Sequence, residues 1–166
     1  MTDFRSVTPP SRQTASPPAS RPPADEGQAE SGTFPRERLR VLIIDDEPLV
    51  LRSWARSLRA FDVSTAESLE AAISRISDEP HAFDVIVSDL LLGDGTGVEL
   101  HRWLIRELGA SAPPLLVLTG GAAEEDASYL AETRVPYALK PITLRVLRET
   151  IVSLAARRPT AGRRVG

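Results

Sequence analysis

Asp45, Asp46, Asp89, Thr119 and Lys140 could do chemistry together, and each lies just past a run of apolar residues. Lys140 stands apart by number. Of the 20 basic residues, 19 are Arg and it is the one Lys. A lysine is a compact charge on a flexible stem, and Arg does not replace it where one ammonium must reach one oxygen. Three carboxylates gathered in one place raise each other's pKa values unless a cation sits among them. With no His or Cys nearby, such hard oxygen ligands favour Mg²⁺ over zinc. The Thr119 hydroxyl and the Lys140 ammonium suit the oxygens of an incoming phosphoryl group. Asp89 is then the natural nucleophile and its product an acyl phosphate. The metal and Lys140 would screen charge between carboxylate and phosphate.

For these residues to meet, the elements before them must end on a common edge. Leu39–Ile44 reads as an apolar strand running into Asp45-Asp46-Glu47-Pro48, with Pro48 suited to a first helical turn. Leu51, Trp54 and Leu58 then recur at helical spacing. Asp62–Ala66 is a weaker strand, and Ser68 can cap a helix facing inward through Leu69, Ala72, Ile73 and Ile76. Val85, Ile86 and Val87 form a β-branched run that suits a strand buried on both faces and ending in Asp89. The glycine-rich loop Gly93-x-Gly95-x-Gly97 lacks the endings of known phosphate loops and reads as a flexible turn. A helix burying Leu100, Trp103, Leu104 and Leu108 follows. Leu115–Leu118 is a fourth strand before Thr119, and 122–133 is a helix with a thin apolar face. Val135–Leu139 is a fifth strand before Lys140-Pro141, and Thr143 can cap a last helix with Leu144, Leu147, Ile151 and Leu154 inward. Five β/α units without hairpin signals imply an α/β fold, a doubly wound five-stranded parallel sheet. In that fold the carboxyl ends of the strands form one edge, where sites are built.

The constellation resembles the receiver domain of bacterial two-component response regulators, of the stand-alone, single-domain type. The matching residues are Asp45-Asp46, Asp89, Thr119 and Lys140-Pro141, each after its strand, with Gly97 eight past Asp89 and Tyr137 three before Lys140. The resemblance covers residues 39 to 156. It implies the flavodoxin-like (β/α)5 receiver fold with strand order 2-1-3-4-5, and a cis Lys140–Pro141 bond. It also implies Asp89 as phospho-acceptor, with Mg²⁺ held by Asp45, Asp46, Asp89 and the backbone carbonyl of Leu91, Asp45 acting chiefly through a water. Lys140 and Thr119 would contact the phosphoryl oxygens, and Thr119 and Tyr137 would form the switch. The implied partners are a sensor histidine kinase or histidine phosphotransfer protein, and a downstream protein reading the face of helix four, strand five and helix five. Kinase docking would use Val50 and Ile142, apolar residues expected to be exposed beside the site at the start of helix one and in the loop after strand five. The positions that flank in-line water attack are Leu91 and Gly121, and neither has a polar side chain, so slow self-dephosphorylation is expected. The chain departs from the family at Gly93, Thr96 and Ile142, where Pro, Asp and Phe are frequent.

Composition narrows the alternatives. The 166 residues fit one domain, on the prior of roughly 100–200 residues each. A net charge of −3 gives no general attraction to nucleic acid. The absence of cysteine removes disulfides and thiolate chemistry. No apolar run approaches a membrane span and no secretory h-region opens the chain, so a cytoplasmic protein without membrane insertion is expected. Residues 1–38 hold 7 of the 14 prolines among Ser, Ala and Thr and read as a disordered tail. Residues 157–166 read as an Arg-rich frayed end, so no output domain is expected after the receiver at 39–156. His81 and His101 read as surface or helix-face residues, and Trp54 and Trp103 as packing. The expected role is a signalling phospho-acceptor rather than an enzyme. An Asp-nucleophile phosphatase is the competing enzyme, but Leu91 stands where such phosphatases carry a second Asp. An unphosphorylated receiver-like scaffold is the other alternative, and the intact quintet speaks against it.

Overall fold

Val41–Ile44 and Val85–Ser88 are almost wholly buried, and in the computed structural model they lie side by side at the centre of a sheet. The structure describes residues 38–121 and 123–157. The expected tails, 1–38 and 157–166, therefore fall outside the described residues except for Arg38 and Arg157.

Among the described residues, seven strands and five α-helices follow in order. They are β1 (Arg40–Ile44), α1 (Pro48–Ser57), β2 (Asp62–Ala66), α2 (Leu69–Asp78), β3 (Val85–Asp89), β4 (Leu91–Leu92), β5 (Gly95–Thr96), α3 (Gly97–Leu108), β6 (Leu115–Thr119), α4 (Glu124–Thr133), β7 (Tyr137–Leu139) and α5 (Leu144–Ala156). The main sheet has the order β2-β1-β3-β6-β7 with every pair parallel. Counting only these five strands, the order is the expected 2-1-3-4-5.

Strand side chains alternate between faces, so each central strand feeds two layers. Leu42, Ile44, Ile86, Leu115 and Val117 pack with Ala72 and Ile76 of α2, Leu100 and Leu104 of α3, and Leu130 of α4. Val41, Ile43, Val85, Val87, Leu116 and Leu118 pack with Leu51 and Leu58, and with Leu147, Ile151 and Leu154 of α5. Trp54 and Trp103 are half-buried against these two layers, as their spacing predicts. Parallel strands covered on both faces read as unbroken apolar runs, which is why β1, β3 and β6 were legible.

The caps match as well. Ser68 Oγ accepts the Ala71 N–H at 3.0 Å, and Thr143 Oγ1 accepts that of Val146 at 3.4 Å. Two details differ from expectation. The strand expected over Val135–Leu139 begins at Tyr137, since Pro136 has no N–H to donate; its carbonyl still accepts from Val117 at 2.9 Å. The loop after Asp89 is a built element rather than a flexible turn. Leu91 pairs with Thr96 and Leu92 with Gly95 in a short antiparallel ladder. It leads into a capping box, in which Thr96 Oγ1 accepts the Glu99 N–H and Glu99 Oε2 accepts that of Thr96.

α4 is no better anchored than α1, whose one buried residue is Leu51. Leu130 is the one buried residue of α4, and that helix ends on Arg134 in the left-handed region, a place glycine usually takes. Among the described residues no helix is long and apolar enough to cross a membrane.

Candidate functional site

Because the sheet is parallel, the carboxyl ends of its strands share one edge. Asp45 and Asp46 directly follow β1, Asp89 ends β3, Thr119 ends β6 and Lys140 follows β7. The Lys140 N–H donates to the Thr119 carbonyl at 2.7 Å, which sets the lysine in register with its neighbour strand. The peptide bond between Lys140 and Pro141 is cis, as the resemblance implies.

Asp45 is buried and fully engaged. Its Oδ1 accepts the Glu47 N–H at 3.0 Å, and its Oδ2 lies 3.2 Å from Lys140 Nζ. The first of these satisfies an amide at the entrance to α1, where Glu47 itself supplies no side-chain cap. Asp89 is half-buried. The N–H of Leu90 fixes its Oδ1 at 2.8 Å, and its Oδ2 lies 3.0 Å from Lys140 Nζ. Asp46 is exposed, with one oxygen close enough that Asp45, Asp46 and Asp89 each place a carboxylate oxygen within 4.8 Å of the others.

Lys140 therefore bridges two of three crowded carboxylates. Burial alone would pull its ammonium down. Hydrogen bonds that the ammonium donates to Asp89 and Asp45, with their charges, outweigh that and hold it above its ordinary 10.5. One ammonium against three carboxylates leaves the cluster negative and able to take a further cation. Three carboxylate oxygens within 4.8 Å of one another suit the oxygen-rich shell that a magnesium ion takes. All three donors are hard oxygens.

Thr119 is buried, and its Oγ1 accepts the Gly121 N–H at 3.0 Å. Tyr137 is 55% exposed on β7, which forms one edge of the sheet. Leu91, two residues past Asp89, opens the short ladder and is 60% exposed. Gly97 has a steric reason to be glycine. A Cβ there would stand 2.9 Å from the Asp89 carbonyl oxygen, while its N–H donates to the Leu90 carbonyl at 2.8 Å. The start of α3 thus rests directly on the backbone that carries Asp89.

One expectation is corrected. Val50 and Ile142 were expected to be exposed beside the site, but both are half-buried, and Ile142 packs against the second core layer. Leu49 is the exposed residue, at 75%. Pro48 opens the helix and Leu51 points inward, so Leu49, two residues before Leu51, falls on the outer side.

Sequence reasoning missed three participants. The buried Ser88 hydroxyl donates to the Asp89 carbonyl at 2.7 Å. Asp94 accepts two amides of α2, of Leu69 at 2.8 Å and Glu70 at 2.9 Å. His101, read only as a helix-face residue, is half-buried and shares a 2.9 Å hydrogen bond with the Tyr129 hydroxyl. The capping box of α3, Thr96 with Glu99, carries a signal that could have been read, but the partners of Asp94 and His101 lie more than twenty residues away and carry none.

Comparison with known proteins agrees with this geometry. Residues 41–152 match the family described as the response regulator receiver domain. The two-component response regulator ORR26 of Oryza sativa subsp. japonica is 26% identical over 112 residues, covering 66% of this chain and 19% of the relative. The sensor histidine kinase RcsC of Salmonella typhimurium is 30% identical over 121 residues, covering 72% of this chain and 12% of the relative. The chain thus spans a fifth or less of the length of these curated relatives. Among solved structures, a CheY-like receiver domain protein from Methanospirillum hungatei superposes with a TM-score of 0.66 at 23% identity, over 75% of this chain and 99% of that one. The chemotaxis response regulator CheY4 of Vibrio cholerae gives 0.61 at 22% identity, over 70% and 98%. At these identities the likeness is one of fold.

Proposed function

Since this chain belongs to the response regulator receiver family, we propose that it accepts a phosphoryl group on Asp89 from the phosphohistidine of a sensor kinase or a histidine phosphotransfer protein. The observation that carries this reading is the contact of Lys140 with both Asp89 and Asp45 beside the three-carboxylate cluster. An Asp89 oxygen attacks phosphorus, the P–N bond of the donor breaks, and an aspartyl phosphate forms. The Leu90 N–H holds the carboxylate in one orientation, so the nucleophile is positioned before the donor arrives. Lys140 turns from the carboxylates to the phosphoryl oxygens, joined there by the Thr119 hydroxyl. Asp46, Asp89 and the Leu91 carbonyl, with Asp45 chiefly through a water, would hold Mg²⁺, which would supply the charge that lets an anionic carboxylate and an anionic phosphoryl group approach.

The output is a changed surface. When Thr119 Oγ1 leaves the Gly121 N–H for the phosphoryl group, space opens behind it and the exposed Tyr137 ring turns inward. The face formed by α4, β7 and α5 then offers a downstream protein a different shape. The sparse anchoring of α4 supports this, because a weakly held helix shifts at low cost. The difference between the states lies in the new phosphoryl hydrogen bond and the buried ring. The donor docks at the start of α1, where Leu49 is exposed, and at the loop carrying Ile142. The chain is a phospho-acceptor whose only catalysis is of its own phosphorylation and dephosphorylation, and a cytoplasmic setting goes with its ATP-fed donors.

The test is labelling by acetyl phosphate with and without Mg²⁺, followed by hydroxylamine. Label that requires Mg²⁺ and is released by hydroxylamine identifies an acyl phosphate. Label that resists hydroxylamine, or forms equally without Mg²⁺, contradicts the reading.

A further inference from the structure

Asp94 sits at the turn of the Leu91–Thr96 ladder, more than twenty residues past the start of α2, yet both its oxygens are bound to that helix. Oδ1 accepts the Leu69 N–H at 2.8 Å and Oδ2 the Glu70 N–H at 2.9 Å. These are the first two amides of α2, which have no acceptor within the helix. Ser68 already caps the same helix from its own side, through the Ala71 N–H. The helix start therefore has a local cap and a second one delivered by the site loop. Leu69 is touched again at Gly95, where a Cβ would stand 2.5 Å from Leu69 Cδ2. On the other side of the loop, a Cβ at Gly93 would stand 3.6 Å from Asp46 Oδ2. One short loop thus rests on α2 and borders the carboxylate cluster.

We propose that Asp94 is a positioning residue of the phosphoryl-accepting site, pinning the Leu91–Thr96 loop to α2 so that the Leu91 backbone stays beside Asp46 and Asp89. The inference rests on the functional reading above and deepens it. The Glu70 N–H does most to hold Asp94 below the ordinary 3.8, slight desolvation opposes it and the Leu69 N–H adds to it, so the carboxylate is ionised whenever the site works. Outer residues that orient metal ligands typically matter by about ten- to a hundredfold in metal affinity. A carboxylate acting through backbone belongs at the lower end of that range.

The test separates positioning from plain helix capping. The Mg²⁺ concentration giving half-maximal labelling by acetyl phosphate is compared for wild type, Asp94→Ala, Asp94→Asn and Ser68→Ala. Asp94→Ala should raise it about tenfold, with the rate at saturating Mg²⁺ little changed. Asp94→Asn keeps one acceptor oxygen and should shift it about threefold, standing in if the Ala variant does not fold. Ser68→Ala loosens the same helix start and should leave it unmoved. Amide exchange without Mg²⁺ should quicken over Leu91–Gly95 in Asp94→Ala but not in Ser68→Ala. Half-saturation unmoved in both Asp94 variants, or moved equally by Ser68→Ala, overturns the proposal alone. A wild type that takes no Mg²⁺-dependent label overturns the functional reading and this proposal with it.

Discussion

Lys140 Nζ stands 3.0 Å from Asp89 Oδ2, and the same ammonium reaches Asp45 Oδ2 at 3.2 Å. On the proposed reading the lysine thus occupies, before any phosphoryl group arrives, the place where charge would be neutralised. Its raised pKa has a definite consequence for stability. A cation favoured by the fold contributes stability that is fully present below about 10.5 and is lost as pH rises through the folded value. Lys140→Met should lower stability near neutral pH by about 1–2 kcal/mol, since the pair is only partly buried. Denaturant titrations from pH 8 to 11 should show the wild type losing an alkaline increment that the Met variant lacks.

Gly97 and Gly93 make opposite predictions within one loop. A methyl group at Gly97 would meet the backbone oxygen of Asp89 at 2.9 Å, and backbone cannot swing aside. Gly97→Ala should cost about 1–3 kcal/mol in stability. Gly93→Ala meets nothing closer than 3.6 Å and should unfold like the wild type. Thermal melts of the two variants side by side decide this.

Much of this site was legible before any coordinates, and the reason is topological. In a parallel sheet every strand that ends in a polar residue delivers it to the same edge, so Asp45, Asp46, Asp89, Thr119 and Lys140 converge by position alone. What was not legible depends on contacts between distant segments. That Lys140 joins Asp45 to Asp89, or that Asp94 reaches Leu69 and Glu70, follows from packing that no local pattern encodes. The two-residue ladder at Leu91–Leu92 is shorter than any periodicity can reveal. Leu49 was missed in favour of Val50 because the helical phase was not carried back from Leu51 to the first turn.

His101 gives a second pH dependence, on the acid side. Burial between α3 and α4 holds its imidazole below the ordinary 6.5, with Tyr129 on its ring nitrogen and the Arg102 guanidinium 4.6 Å over the Tyr129 ring. The fold favours the neutral form, so this stability is whole above about 6.5 and declines as pH falls toward the lowered value. His101→Phe keeps an aromatic edge toward Tyr129 but cannot take a proton. Stability between pH 7 and 5 should fall less in that variant than in the wild type.

Phosphoryl lifetime should be long. Leu91 and Gly121 flank the expected path of water, and neither offers a polar group to orient it; Leu91 is apolar and exposed, and a Cβ at Gly121 would meet open space. Leu91→Asn should hasten decay by about three- to tenfold, equivalent to roughly 0.7–1.4 kcal/mol in the barrier. Decay of label in Mg²⁺ after removal of the donor measures it. Equal decay in the two proteins would contradict the shielding role of Leu91.

The account stands on Asp89 as the residue that carries the phosphoryl group. The direct measurement is mass spectrometry of the protein after acetyl phosphate and Mg²⁺, with the modified peptide fragmented to locate the added group. The account predicts a single phosphoryl group on Asp89 in the wild type and none in a folded Asp89→Asn variant, whose carboxamide cannot form an acyl phosphate. Phosphorylation located elsewhere in the wild type, or retained in the Asn variant, would contradict it.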